Sequence, residues 1–534
     1  MKKIILILSV IYGVVFSFSV VNAADAGPSA STGAIASVTG IGGVIQFESY
    51  VYVPIDADNN FIDATIARQI KTAIGALDAA KISFNDAHNL LRGVPRSEWR
   101  REIVEISNST QRVQRVRYRF RDNVVASKSL RGRESIDVTL LANDYSKHAE
   151  RLMADCAVRD LMIDEFESFW YFFHPEKESC QKLINDEARE ISINNANLDD
   201  NVISSAEANR WFITITARLF LAPDLTRELY PKYHRIYDIY DQNNYDHKIV
   251  IYVFTGSDLH SAFANDRLGI EHIRFLRRLL MTYPGFRPDT SNLLDISIDD
   301  RTDDRKVEGV TYERLFNWVL EGRDYPPEIA ADKTKIYLLQ TMVMKKFAEK
   351  WIYWDFPITV NSKKTTIEIR TYYGNEDGSE EARNNSKMRY LEAFKNGDVV
   401  IYNGHSHMGE SSLSPSLYKV ADFKNSYQIL FFNSCSSYCH YHQGFFDLKP
   451  GREKELDIVV NGLRSNILNS GEVVSSFLFG ILEMKSYENL LADMQNVSHS
   501  ASDELRLASC TLDDSFSQVE YPLQNNFFSS EYFE

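Results

Sequence analysis

Four of the chain's twelve histidines and two of its cysteines fall within residues 405–442: His405, His407, Cys435, Cys439, His440 and His442. A thiol beside an imidazole has a defined use. The ring takes the thiol proton or stabilises the thiolate, the thiolate attacks a carbonyl carbon, and backbone N–H groups in the adjoining turns hold the oxyanion. His405 and Cys435 are thirty residues apart, and each closes an apolar run, DVVIYNGH and YQILFFNSC. They are the candidate catalytic pair, with His407 as a second candidate for the base. The same residues also suit zinc, because the pairs His405/His407 and His440/His442 can each present two rings to one ion from an extended segment, with cysteine as a further ligand. A zinc-binding hydrolase is therefore a rival expectation. His440 and His442, interleaved with Tyr441, equally suit a groove that binds substrate without metal.

The elements that deliver these residues are legible as short apolar strands. HKIVIYVFTG (247–256), TTIEIRTYYG (365–374), DVVIYNG (398–404), YQILFFNS (427–434) and LDIVVNG (456–462) each end in a turn residue. Amphipathic stretches such as GIEHIRFLRRLLMTY and ARNNSKMRYLEAFKNG lie between some of them. Such alternation predicts an α/β domain over 245–534 with a mostly parallel sheet flanked by helices. Functional groups in such sheets collect at the carboxyl ends of the strands. If the strands ending at His405 and Cys435 are neighbours, their tips lie about 5 Å apart, or about 10 Å with one strand between.

Upstream, the pattern changes. VIQFESYVYVP, DATIARQIKTAIGALDAA, QRVQRVRYRFRDNVV and ESIDVTLLAND predict an α+β module over 44–145, and helical patterns predict a scaffold segment over 146–240. Residues 1–23 have a lysine-led apolar run ending in Val21-Asn22-Ala23, the form of a cleaved signal peptide, and 24–43 read as a flexible leader. The expectation is a bacterial protein that is periplasmic or secreted, with no stable membrane span after signal removal. The net charge is −15, and loss of Lys2 and Lys3 with the signal makes it two units more negative. That argues against nucleic acid as a partner, which needs a basic face. Five cysteines leave at least one thiol unpaired. Cys156 and Cys180 are the natural disulfide pair, and Cys510 can then take Cys439 or Cys435. No cofactor is required, although DISIDDRTDD (295–304) carries enough carboxylates for calcium to be considered alongside zinc. The charged insert EDGSEEARNNS (376–386) predicts an exposed loop.

A strand closing on His followed by one closing on Cys resembles the caspase-type cysteine peptidases, the grouping that includes gingipains, legumains, clostripains and separases. The likeness is nearest to the gingipain branch, whose histidine block has Tyr402, Asn403, Gly404 and His405 in pattern here, and it spans about residues 390–480. It implies a caspase-like fold, peptide-bond hydrolysis of a protein or peptide substrate, His405 as catalytic histidine and Cys435 as nucleophile. It also implies oxyanion donors from the backbone at Ser406 and Cys435, and a specificity pocket shaped by the loop after 456–462, hence Asn461, Gly462 and Arg464. Ser406 stands where the family has glycine, which implies an altered backbone at that turn. A catalytically inactive, peptidase-like binding protein is the third expectation.

Overall fold

The computed structural model describes residues 35–36, 40–142, 145–158, 163–222, 230–237, 248–257, 267–283, 287–288, 319–320, 327, 331, 348, 350–360, 363–375, 380–462, 465, 469–506 and 523–526. The signal peptide, the acidic run 295–304, Arg464 and Cys510 lie outside the described residues.

Helix α1 (Asn59–Ala79) organises the first half. Asp58 caps it by accepting the Phe61 N–H at 2.8 Å, and Ile62, Ile66, Ile70, Ala73 and Leu77 bury one face at helical spacing. That face lies on an antiparallel sheet of β1 (Gly40–Val53), β2 (Ile82–Phe84), β3 (Arg100–Ile106), β4 (Arg112–Ser127), β5 (Ser135–Leu141) and β6 (Phe212–Leu221). The strand order is β5-β6-β1-β4-β3, with β2 also pairing β4 and the two-residue strand Val202–Ile203 adding to β3 in parallel at the edge. On the solvent side, Arg115 and Arg119 of β4 pair with Glu102 of β3 and Glu48 of β1. Helices α2 (Ala149–Cys156), α3 (Phe169–Phe172) and α4 (Glu178–Asn195) complete the module, and the expected Cys156–Cys180 disulfide ties α2 to α4. Gly75 of α1 permits α3 to approach closely: a Cβ there would sit 2.6 Å from the Phe173 carbonyl oxygen and 2.7 Å from that of Trp170.

The second sheet consists of β7 (Lys248–Ser257), β8 (Trp351–Val360), β9 (Lys363–Asn375), β10 (Val399–Asn403), β11 (Gln428–Asn433), β12 (Leu456–Asn461) and β13 (Leu523–Asn526), with two-residue strands at each edge. Five strands in the order β9-β7-β10-β11-β12 are parallel, while β8 and β13 run antiparallel outside them. Strands β7, β10, β11 and β12 are largely apolar because both faces are covered, whereas β9 alternates Ile367 and Ile369 with Glu368 and Arg370. On β10, Val399 and Ile401 join the core beneath α5 (Arg267–Thr282), α8 (Ser470–Leu482) and α9 (Tyr487–Arg506). Val400 and Tyr402 join the opposite core, beneath α6 (Glu380–Asn396) and α7 (Gln443–Leu448). The chain leaves β7 for β9 on one side and returns to β10 on the other, so the crevice between β7 and β10 opens at the carboxyl edge.

Four boundaries differ from the sequence expectation. Residues 212–221, expected within the helical scaffold, form strand β6 between β5 and β1; FITITARLFL alternates and is rich in β-branched residues, so its period is 2. Tyr233, Ile236 and Tyr237 pack in the core of the α/β domain, with the Tyr233 hydroxyl donating to the Lys485 carbonyl at 2.7 Å, so the change of domain falls between 222 and 230. The insert expected as a loop is helical from Glu380 onward, its two leading glutamates complementing the helix N-terminus. Residues 40–43, assigned to the leader, already belong to β1.

Among the described residues, no helix is long and apolar enough to cross a membrane.

Candidate functional site

Strands β10 and β11 are adjacent and parallel, with Asn403 opposite Asn433, and the Gly404 N–H donates to the Asn433 carbonyl at 3.2 Å. His405 and Cys435 each follow these partners by two residues, so both emerge at the same edge from neighbouring strand ends. Both are partly exposed.

The tips are locked by side-chain amides. Asn433 Nδ2 donates to Asn403 Oδ1 (2.9 Å), Asn461 Nδ2 donates to Asn433 Oδ1 (3.0 Å) and to the Ser434 carbonyl (3.2 Å), and Asn403 Nδ2 reaches Ser470 Oγ at the start of α8 (3.1 Å). All three asparagines are buried. The side chain of Asn461, expected to line a specificity pocket, is thus 1% exposed and bonded within the sheet edge. Gly462 is likewise buried. The segment after β12 does reach the thiol, through Ser465: its Oγ donates to Cys435 Sγ at 3.8 Å, and the thiol donates to its carbonyl at 3.5 Å.

The histidine turn is pinned from both sides. The Tyr402 hydroxyl donates to the His405 carbonyl (2.7 Å), while the Ser406 carbonyl accepts from the Tyr441 hydroxyl (2.6 Å) and the Gly409 N–H (2.8 Å). Ser406 adopts ordinary right-handed angles, φ −76° and ψ −18°, so glycine is not needed there. The left-handed excursion comes one residue later, at His407 (φ 45°), Met408 (51°) and Gly409 (80°). Glycine at 409 is doubly required, since a Cβ would also lie 2.2 Å from His88 Nε2. The rings of His405 and His407 meet edge-on, 5.7 Å between centroids.

The other half of the histidine cluster turns to a different task. Residues 438–442 form a π-helical turn leading into α7, and the N-terminal module grips it. The Ala87 N–H donates to the Cys439 carbonyl (2.7 Å), His442 Nδ1 donates to Asn85 Oδ1 (2.7 Å), Asn85 Nδ2 donates to Gln443 Oε1 (2.9 Å), and His440 and His88 share a contact of 3.4 Å between ring nitrogens. Cys439 is a free thiol packed into the hydrophobic core of that module, and burial pushes its thiol well above the ordinary range. Among the described residues no three His, Cys, Asp or Glu side chains converge as ligands for a metal ion.

Burial, reinforced by His88 and Lys71 for His440 and by Arg92 for His442, depresses both rings to about 3. A depressed histidine stabilises the fold above its unfolded value of about 6.5, and that stability is lost as the pH falls toward 3, at up to about 1.4 kcal/mol per pH unit for each ring. Asp457, raised to about 6 by burial, acts oppositely: its contribution is present below its unfolded value and lost as pH rises through 6. The expected result is that His442→Asn flattens the fall of the urea midpoint between pH 6.5 and 4 relative to the unaltered chain. Parallel curves for the two proteins would contradict it.

Compared with protein-family models, curated proteins and solved structures, the chain matches none.

Proposed function

We propose that the chain is an exported cysteine peptidase of the caspase-like type, periplasmic or secreted, that cleaves peptide bonds with Cys435 as nucleophile and His405 as base. One observation carries this reading: the two residues follow the ends of adjacent parallel strands at matched positions on the same edge. The mostly parallel sheet flanked by helices is the frame that the sequence resemblance implies, and it supports the reading. So does the contrast between thiols, Cys435 being partly exposed and Cys439 buried.

In the proposed reaction the imidazole accepts the thiol proton and the thiolate attacks the carbonyl carbon. Backbone N–H groups at Ser406 and Cys435 receive the oxyanion. Collapse of the tetrahedral intermediate breaks the C–N bond, and the amine departs with the proton from the imidazolium. Water, deprotonated by the same ring, then hydrolyses the thioester.

Iodoacetamide applied to the folded chain tests the assignment. Cys435 is expected to be alkylated in the native state, faster than an ordinary thiol below neutral pH, while Cys439 is labelled only after unfolding. A mixed peptide library is expected to be cut by the unaltered chain and left intact by Cys435→Ala. Labelling of Cys435 no faster than an ordinary thiol would reject the peptidase reading.

A further inference from the structure

The residue after Cys435 carries a constraint that the α/β domain does not supply. Ser436 is 3% exposed and sits at φ 48°, a left-handed conformation that a residue with a Cβ rarely adopts. Such a state persists only where its surroundings over-determine it. Its Oγ shares a hydrogen bond of 3.1 Å with the Tyr171 hydroxyl, which comes from the N-terminal module 265 residues earlier.

Tyr171 is itself well held. It is 6% exposed, packs edge-on against Trp170 and Phe172, and belongs to α3. That short helix lies inside the loop closed by the Cys156–Cys180 disulfide and against α1 at Gly75. A hydroxyl presented by so fixed a ring is an anchor for whatever it bonds. Here it bonds the side chain of Ser436, the left-handed residue that directly follows Cys435 at the end of β11.

We propose that Tyr171 is a positioning residue for the Cys435 thiol, acting through Ser436, so that the N-terminal module completes the reactive site instead of serving only as a separate recognition domain. The proposal rests on the reading of Cys435 as nucleophile. Tyr171 touches no reacting atom. Its role is to keep Ser436 in the left-handed state and thereby hold the sulfur in one place beside the tip of β10.

The test uses the full chain and three variants: Tyr171→Phe, Ser436→Ala and the double substitution. Each is read by the rate of Cys435 alkylation with iodoacetamide across pH 5–9 and by amide hydrogen exchange over residues 435–439. Either single change is expected to slow alkylation about three- to tenfold, the worth of one hydrogen bond, to displace the pH profile and to raise exchange at 436–439. The double variant is expected to match the worse single, because both remove the same bond. Additive effects, or a lowered thermal midpoint with profile and exchange unmoved, would overturn the proposal. If Cys435 of the unaltered chain reacts only like an ordinary thiol, the peptidase reading fails, and the exchange measurements decide the positioning role on their own.

Discussion

Replacing His405 by alanine is expected to lower peptide cleavage by about 10²–10⁴-fold, the usual worth of a positioned general base, and to slow Cys435 alkylation in parallel. His407→Ala is expected to change either by less than about threefold, since the proposed reaction gives that ring no proton to carry. The distinction follows from the backbone. His405 is carried directly by β10, two residues beyond the Asn403–Asn433 partnership, and its carbonyl is fixed by Tyr402. His407 is the first residue of the left-handed turn that ends against His88. Alkylation needs no knowledge of the substrate, so the two histidines can be ranked before one is found. A collapse on His407→Ala with His405→Ala spared would transfer the base to His407.

Asn433→Ala is expected to destabilise the chain by about 2–4 kcal/mol, with an unchanged denaturant slope. The substitution deletes the central member of the amide chain and leaves Asn403 Oδ1 and one N–H of Asn461 buried without their partner. Each orphaned polar atom costs more than the hydrogen bond was worth, because it was desolvated on folding. The strand tips then lose their lateral tie, so cleavage and Cys435 alkylation should fall further than the folded fraction accounts for. Urea midpoints set beside alkylation rates separate the two effects. A midpoint shift below about 0.5 kcal/mol, the scale of an ordinary surface change, would mean the amides do not hold the edge.

Much of this architecture could be read from residue patterns. Strands β7, β10, β11 and β12 were legible because a strand covered on both faces reads as a nearly continuous apolar run that ends where polarity begins, and β9 because Ile367 and Ile369 alternate with polar residues. His405 and Cys435 were legible for the same reason, being a histidine and a cysteine just past such endings. The asparagine chain was visible only as a recurrence, Asn403-Gly404, Asn433-Ser434 and Asn461-Gly462, which reads locally as three turn signals. Its meaning depends on three strands being neighbours at matched height, and no local pattern encodes that.

Two readings of the sequence meet a different local geometry, for physical reasons that can be stated. The glycine requirement inferred for position 406 came from a family pattern, whereas this chain makes its left-handed excursion at 407–409 and leaves Ser406 relaxed. His440 and His442 looked like ligands or groove residues by composition. They are depressed, buried rings at the seam with the N-terminal module, and their partners Asn85 and His88 are isolated polar residues whose sequence context gives no hint of the contact.

That seam also has a consequence in time. The bonds Asn85–Gln443, Asn85–His442 and His88–His440 join residues 358, 357 and 352 positions apart. Closing so long an interval is slow unless each side is ordered beforehand. Synthesis supplies one side early, because the first half of the chain emerges before residues 436–443 are made and domains tend to fold as units. The segment that follows Cys435 therefore docks late, onto a surface already built, and the seam is not closed until residues 440–443 meet Asn85 and His88.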